Sequence, residues 1–133
     1  MTKTERNISW VLQGVAAAIM LQTLFFKFTG APETLYIFEK VGLGDLGRYG
    51  SGVAELVAGL ALLSGRYALQ GAALSVAIMA GAIASHLTVL GIEVQGDGGL
   101  LFGMALVTLG ASIGVMALRR KLIPQLLPAL ASH

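Results

Sequence analysis

Three ionisable residues, Lys27, Glu55 and His86, stand in stretches of the chain that are otherwise apolar. An ammonium, a carboxylate and an imidazole placed around one opening supply hydrogen-bond donors, acceptors and a group that exchanges protons near neutral pH. Such a set suits the binding of a polar group and the relay of its protons. Gln22 lies about one and a half helical turns before Lys27 and extends the set. We therefore expect Lys27, Glu55, His86 and Gln22 to line a ligand-binding site.

The composition indicates that these residues lie in a membrane. Of the 133 residues, 56% are hydrophobic and 12% are charged, whereas a soluble protein has about 25% charged residues. A water-soluble domain of this length has too much surface to bury so much apolar mass. The eighteen glycines suit close packing of helices in a bilayer. The sequence therefore predicts a single integral membrane domain over residues 1–133.

Four apolar stretches approach the length of about 20 helical residues that crossing a bilayer requires. The predicted spans cover residues 7–26, 49–64, 67–90 and 98–118. The connections after the second and third spans are short, which favours antiparallel neighbours. The prediction is an all-α fold, a transmembrane four-helix bundle with up-down-up-down topology.

Only the first connection is long, from residue 29 to about residue 48. Within it, Pro32 stands where a helix would begin and Gly42 where one would end. Apolar residues between them share one side of a helix. We expect a short helix at the membrane interface here, and the alternative is a surface loop.

The basic residues predict the orientation. The side of the bundle that holds both termini carries Lys3, Arg6, Arg66, Arg119, Arg120 and Lys121, and the other side carries Lys40 and Arg48. This distribution places both termini in the cytoplasm and the long first connection outside, and we expect a bacterial inner membrane. Lys27, Glu55 and His86 then lie at one level near the outer leaflet. Lys27 is near the outer end of its span, and Glu55 and His86 are each about one turn inside theirs.

A charge well inside a bilayer costs about 2.5–3.5 kcal/mol on insertion scales, and less towards the interface. Residues on three different helices at one depth therefore favour a shared polar pocket. Each residue has an alternative interpretation: the Lys27 ammonium extends to the headgroups, His86 forms a helix–helix hydrogen bond, and Gln22 bonds to a neighbouring backbone. Gln13 lies near the inner leaflet, away from this set.

Several kinds of chemistry are disfavoured for this chain alone. It contains no cysteine, so thiolate metal sites, iron–sulfur clusters and thiol redox chemistry are excluded. It has no flavin or dinucleotide fingerprint, and a single histidine within the spans argues against a bis-histidine haem. No basic stripe is interleaved with aromatic residues, so nucleic acid is not an expected partner. We therefore expect no metal and no cofactor held within the chain, apart from a quinone.

Three segments connect the sequence with a known family. They are residues 25–32 (FFKFTGAP), residues 52–63 (GVAELVAGLALL) with Gly65-Arg66 after them, and residues 84–86 (ASH). In their order and spacing these segments are similar to the Lys-Phe, Glu-Leu-x-x-Gly and late-span histidine features of the DoxX-like family of small four-span membrane proteins. The chain thus resembles that family over about 115 residues, from the first span to the fourth.

The resemblance implies a membrane-embedded four-helix bundle associated with redox chemistry, because relatives include a subunit of thiosulfate:quinone oxidoreductase. The first hypothesis is a redox-associated subunit that binds a quinone or similar amphiphile in the outer-leaflet pocket. His86 would be the quinone ligand or proton donor, Glu55 the relay carboxylate and Lys27 the counter-charge. A redox partner protein would supply the electrons.

The alternative hypothesis is a non-catalytic membrane partner or assembly protein, as other relatives are. In this interpretation the three ionisable residues are structural, and the fourth span packs closely within the bundle or against a second copy. Its glycines lie on one side of that span, at Gly99, Gly103, Gly110 and Gly114. The sequence leaves open whether the chain is an enzyme.

Overall fold

The computed structural model describes residues 2–30, 32–92 and 97–120, and the elements in these ranges are all helical. The helices are α1 (Lys3–Thr29), α2 (Pro32–Val41), α3 (Gly44–Leu63), α4 (Ala68–Ser85) and α5 (Leu100–Arg119), with a π-helical turn at His86–Leu90 directly after α4. No strand is present in the described ranges. The prediction of an all-α protein is confirmed.

Three helical segments are long and apolar enough to cross a membrane. They are α1, α4 together with the π-helical turn, and α5, with mean hydropathies of 1.6, 1.9 and 2.1. The 20-residue helix α3 is not among them, and it carries Asp45, Arg48 and Glu55. The described residues thus contain three candidate spans, and the four-span topology stays a prediction.

The four long helices contact one another in a closed ring, because α1 and α4 each pack against both α3 and α5. Near the start of α1, Gln13 donates a hydrogen bond to the carbonyl oxygen of Leu62, near the end of α3. Near the end of α1, Lys27 bonds to Ser51, in the first half of α3. The two helices therefore run antiparallel, and the ends of α1 lie against opposite ends of α3.

Small side chains fill much of the space between the helices. The fully buried apolar residues include Ala16, Ala58, Ala72, Leu62 and Val115. Ser75 on α4 and Ser112 on α5 are also fully buried, and their hydroxyl oxygens lie 2.7 Å apart. Close helix packing therefore depends on small residues, as the abundance of glycine and alanine predicted.

Helix α2 lies in the first connection and packs against α1, α3 and the π-helical turn. It begins at Pro32, and Gly42 follows its last residue with a φ of 86°. Glycine adopts this left-handed conformation without the steric penalty that a Cβ brings. The helix predicted between Pro32 and Gly42 is confirmed, and its place at a membrane interface stays a prediction.

Two helices begin earlier than the sequence predicted. Helix α1 begins at Lys3 because Thr2 and Glu5 form a capping box, in which each side chain accepts a hydrogen bond of 3.1 Å from the other residue's backbone N–H. Helix α3 begins at Gly44, five residues before the predicted start of the second span. Lys121, one of the basic residues that predict the orientation, lies outside the described residues.

Gly71 marks the closest approach of α4 to α3. A Cβ added there would lie 2.8 Å from the Leu62 backbone nitrogen and 3.0 Å from the Ala58 carbonyl oxygen. We expect Gly71→Ala to lower the free energy of unfolding by about 1–3 kcal/mol, because the backbone of α3 would have to move. Thermal unfolding in detergent measures the effect.

Gly81→Ala, on the same helix, is the matched control. A Cβ added at Gly81 meets nothing within 4 Å, and alanine favours a helix over glycine by about 0.8–1.0 kcal/mol. This variant should be as stable as the parent or more stable. Equal melting temperatures for Gly71→Ala and the parent would contradict the close contact of α3 with α4.

Candidate ligand-binding site

A cavity of about 600 Å³ lies among α1, α2, α3, the end of α4 with its π-helical turn, and the start of α5. Most of its wall is apolar, and all four residues that the sequence predicted contribute to it: Lys27, Glu55, His86 and Gln22. Polar residues that were not predicted also line it, namely Thr23, Thr34, Ser51, Ser85 and Asp97. The predicted residues thus share one cavity.

Lys27 and Glu55 form an ion pair across the contact between α1 and α3. The Lys27 Nζ lies 2.5 Å from Oε1 of Glu55 and donates a second hydrogen bond of 2.8 Å to Oγ of Ser51. The two charged side chains are 14% and 5% exposed, respectively. The ammonium is therefore directed at α3 and does not extend away from the bundle.

The second carboxylate oxygen of Glu55 also has a partner. The Thr23 hydroxyl oxygen lies 3.1 Å from Oε2 of Glu55 and 2.8 Å from the Met20 carbonyl oxygen. A hydroxyl has one proton to donate, so the two acceptors share it. Both oxygens of the Glu55 carboxylate are thus engaged with groups on α1.

The sequence analysis missed Thr23 and Ser51, although a signal for them exists. Thr23 precedes Lys27 by four residues, and Ser51 precedes Glu55 by four residues. Residues four apart lie on the same face of a helix. Hydroxyl residues at this spacing from each charged residue therefore indicate the polar faces that meet between α1 and α3.

His86 is held from two directions at the first position of the π-helical turn. Its Nδ1 lies 2.9 Å from the Gly91 carbonyl oxygen, and the Gly91 N–H donates a 2.8 Å bond to the His86 carbonyl. Gly91 has a φ of 79°, a conformation that disfavours residues with a Cβ. The ring also meets the edge of Phe102 at a centroid distance of 5.5 Å. Single π-helical turns occur often at functional sites.

Gln22 lines the cavity but stands apart from the hydrogen-bonded group. Its residue is exposed, and its side chain forms no hydrogen bond with any described residue. The alternative of a buried amide bonded to a neighbouring backbone is therefore wrong. Gln22 contributes a free amide to the cavity wall.

Arg48 ties the start of α3 to the end of α1 beside this group. Its guanidinium donates to the Lys27 carbonyl oxygen and to Asp45, the latter at 3.2 Å, and it lies 4.2 Å from the centre of the Tyr49 ring. Arg48 is buried, although its place at the end of the long first connection gave no sign of this. It satisfies one of the carbonyl groups that the end of a helix leaves free.

A second buried polar cluster lies at the opposite end of α1, and no residue of it lines the cavity. Nε of Arg119 donates to Oγ of Ser9 at 2.8 Å and to Oε1 of Gln13 at 3.0 Å. Gln13 in turn donates to the Leu62 carbonyl oxygen at 2.6 Å. This cluster joins α1, α3 and α5, and it buries Arg119, which the sequence analysis treated as a flanking charge.

The model of the DoxX family matches residues 12–91, more than half of the 133 residues. The chain belongs to the DoxX family. The matched range of this DoxX-family protein contains Lys27, Glu55 and His86, and α5 lies beyond it. The resemblance seen in the sequence is confirmed. No curated protein and no solved structure matches the chain.

Proposed function

We propose that this DoxX-family protein is a redox-associated membrane subunit that binds a quinone or a similar apolar amphiphile in the cavity. The observation that carries the proposal is the cavity itself, in which Lys27, Glu55 and His86 line an otherwise apolar wall. Small-molecule sites have volumes of about 300–1,000 Å³ with a few polar groups that fix orientation. A quinone matches this wall, because its ring carries two polar oxygens and its tail is apolar.

In this proposal the chain crosses the membrane four times. Three crossings are the candidate spans described above, and the fourth is α3, whose hydropathy alone does not indicate a span. The charges on α3 have partners: Glu55 pairs with Lys27, and Arg48 pairs with Asp45. Pairing and hydrogen bonding lower the cost of placing such groups in a bilayer. The antiparallel contact of α1 with α3 supports an up-down-up-down bundle, with α2 at the outer interface.

The distribution of Lys and Arg supports cytoplasmic termini in a bacterial inner membrane. The cavity then faces the outer leaflet. Electrons would come from a redox partner protein, because the chain has no cysteine and no flavin or dinucleotide fingerprint. Within the site, His86 would bind the ring oxygen or donate a proton, Glu55 would relay protons and Lys27 would supply the counter-charge.

Binding of a short-tailed quinone and of its quinol to the purified protein in lipid nanodiscs tests the proposal. At least one form should bind. The double variant Lys27→Met/Glu55→Leu, which leaves no unpaired charge, and His86→Ala should each weaken its binding by about 10-fold or more, because each removes hydrogen-bonding groups from the cavity wall. Thr88→Ala is the control, because Thr88 is exposed and, among the described residues, its hydroxyl bonds only to the Ala84 carbonyl. Unchanged binding in both site variants would rule the proposal out.

One observation favours a second candidate function, that of a non-catalytic membrane partner or assembly protein. The Lys27–Glu55 pair is satisfied within the protein by Ser51 and Thr23, as structural groups would be. In this case α5 would offer two of its glycines to a second copy, whereas Gly114 packs against α1. Gly103 and Gly110 have no neighbouring atom within 4 Å of an added Cβ.

Ligand-dependent stability separates the two functions. A ligand that binds only the folded protein stabilises it by about 2.7 kcal/mol at 100 times its dissociation constant. If the protein binds quinone or quinol, its melting temperature should rise when the compound is added. If its role is structural, the melting temperature should not change. A melting temperature that does not respond to either compound would therefore favour the structural role.

A further inference from the structure

The hydrogen bond of His86 identifies the tautomer of its ring. The partner of Nδ1 is the Gly91 carbonyl oxygen, at 2.9 Å. A carbonyl oxygen only accepts hydrogen bonds, so Nδ1 carries the hydrogen. In the neutral imidazole Nε2 then carries the lone pair and is an acceptor. The Gly91 N–H also donates a hydrogen bond to the His86 carbonyl oxygen. This second bond between the same two residues holds the imidazole in place.

Nε2 of His86 is the nitrogen that an occupant of the cavity can reach. It has no hydrogen-bond partner among residues 2–30, 32–92 and 97–120. In those ranges the fully buried side-chain nitrogen and oxygen atoms without a hydrogen-bond partner are Nε of Arg48 and Oγ1 of Thr108. Nε2 of His86 is not among them, so this nitrogen is accessible. His86 lines the cavity, and Nε2 is the nitrogen of its ring that has no partner in those ranges.

The Lys27–Glu55 ion pair lines the same cavity and offers a hydrogen-bond donor. Oε1 of Glu55 accepts from Lys27, and Oε2 accepts from Thr23. An ammonium has three N–H bonds, of which Glu55 and Ser51 take two. The third N–H of Lys27 is left for an occupant, and the ammonium lies 5.7 Å from the centre of the Phe38 ring on the cavity wall.

We propose that the cavity selects the hydroxyl form of its ligand, a quinol or alkylated phenol, over the carbonyl form. A hydroxyl group donates its hydrogen to Nε2 of His86, and an oxygen of the same ring accepts from Lys27. A quinone has no hydrogen to donate, so its carbonyl oxygen would place a lone pair against that of Nε2. The inference rests on the proposed function, because it requires a ring-bearing amphiphile to enter the cavity.

The test compares three compounds with the same alkyl tail: a hydroquinone, its dimethyl ether and the corresponding quinone. The ether keeps the acceptor oxygens and lacks the O–H groups. At about pH 8, the parent protein should bind the hydroquinone about 10-fold more tightly than either of the others, as one hydrogen bond allows. His86→Phe should bind all three compounds equally, and Thr88→Ala should keep the preference.

A spectroscopic measurement tests the same contact without a substitution at the site. The chain has two histidines, so ¹⁵N-histidine labelling of a His133→Ala variant leaves His86 as the labelled residue. The Nε2 signal should shift with the hydroquinone and stay in place with the ether. This readout holds even if His86→Phe does not fold.

The outcomes separate this inference from the proposed function. Equal affinity for hydroquinone and ether, or an Nε2 signal that does not respond to the hydroquinone, would overturn selection by His86 and leave a ring-binding cavity intact. A preference that persists in a folded His86→Phe would assign the selection to another group and overturn the inference. Failure of all three compounds to bind would overturn the proposed function as well.

Discussion

Glu55→Leu is expected to lower the free energy of unfolding by about 3–5 kcal/mol, the usual cost of removing one partner from a buried ion pair. The substitution leaves the Lys27 ammonium, whose side chain is 14% exposed, without its counter-charge. It also removes one of the two acceptors of the Thr23 hydroxyl. Unfolding by denaturant in a defined detergent measures the change.

The double variant Lys27→Met/Glu55→Leu should recover most of that loss. Replacing both members of a buried pair with apolar side chains is often neutral or stabilising, because no unpaired charge remains. The control is Glu39→Leu, at an exposed position on α2, which should change stability by no more than about 0.5 kcal/mol.

The comparison of single and double variants yields the coupling energy of the pair. A Glu55→Leu protein as stable as the parent would show that the ion pair does not hold α1 to α3. The double variant also separates stability from function, because it should fold while losing affinity for quinone and quinol.

Gln13→Leu is expected to have the second large effect, a loss of about 3 kcal/mol, since it removes the donor to a buried carbonyl and one of the acceptors of a buried charged group. Gln13 is fully buried; it accepts from Ser9 and Arg119 and donates to the Leu62 carbonyl oxygen. Leucine has a similar volume, so lost hydrogen bonds and not a cavity account for the change. Denaturant unfolding again provides the measurement.

Gln22→Leu is the matched control, with the same substitution on the same helix. Gln22 is exposed and forms no side-chain hydrogen bond within the described ranges, so its replacement should leave stability within about 0.5 kcal/mol of the parent. If the two glutamine variants unfold at the same denaturant concentration, the buried cluster around Arg119 does not stabilise the bundle. Gln22→Leu also tests whether that amide contributes to ligand affinity.

The two polar clusters occupy opposite ends of α1 and have different relations to the cavity. The Lys27–Glu55 group lines it and holds α1 to α3, whereas the Gln13–Arg119 group lies away from it and joins α1, α3 and α5. A stability change at Gln13 should therefore leave the relative affinities for hydroquinone and ether unaltered. We therefore expect substitutions in the first cluster to change both stability and binding, and substitutions in the second to change stability alone.

Much of the architecture is encoded in local sequence signals. The all-helical fold follows from long apolar stretches, and α2 follows from Pro32 and Gly42, because proline suits the first turn of a helix and glycine suits the position after its end. The family resemblance rested on short motifs around Lys27, Glu55 and His86, and the match over residues 12–91 confirms it. Each of these signals can be recognised in the sequence without knowing which helices pack together.

Only the tertiary structure decided which polar groups meet. The bonds of Glu55 to Thr23 and Lys27 join residues 32 and 28 positions apart, and the bond of Arg119 to Gln13 spans 106 positions. A helix that is apolar on all sides has no polar face from which its rotation about its own axis can be predicted. The packing of small side chains sets that rotation, and with it the burial of Arg119.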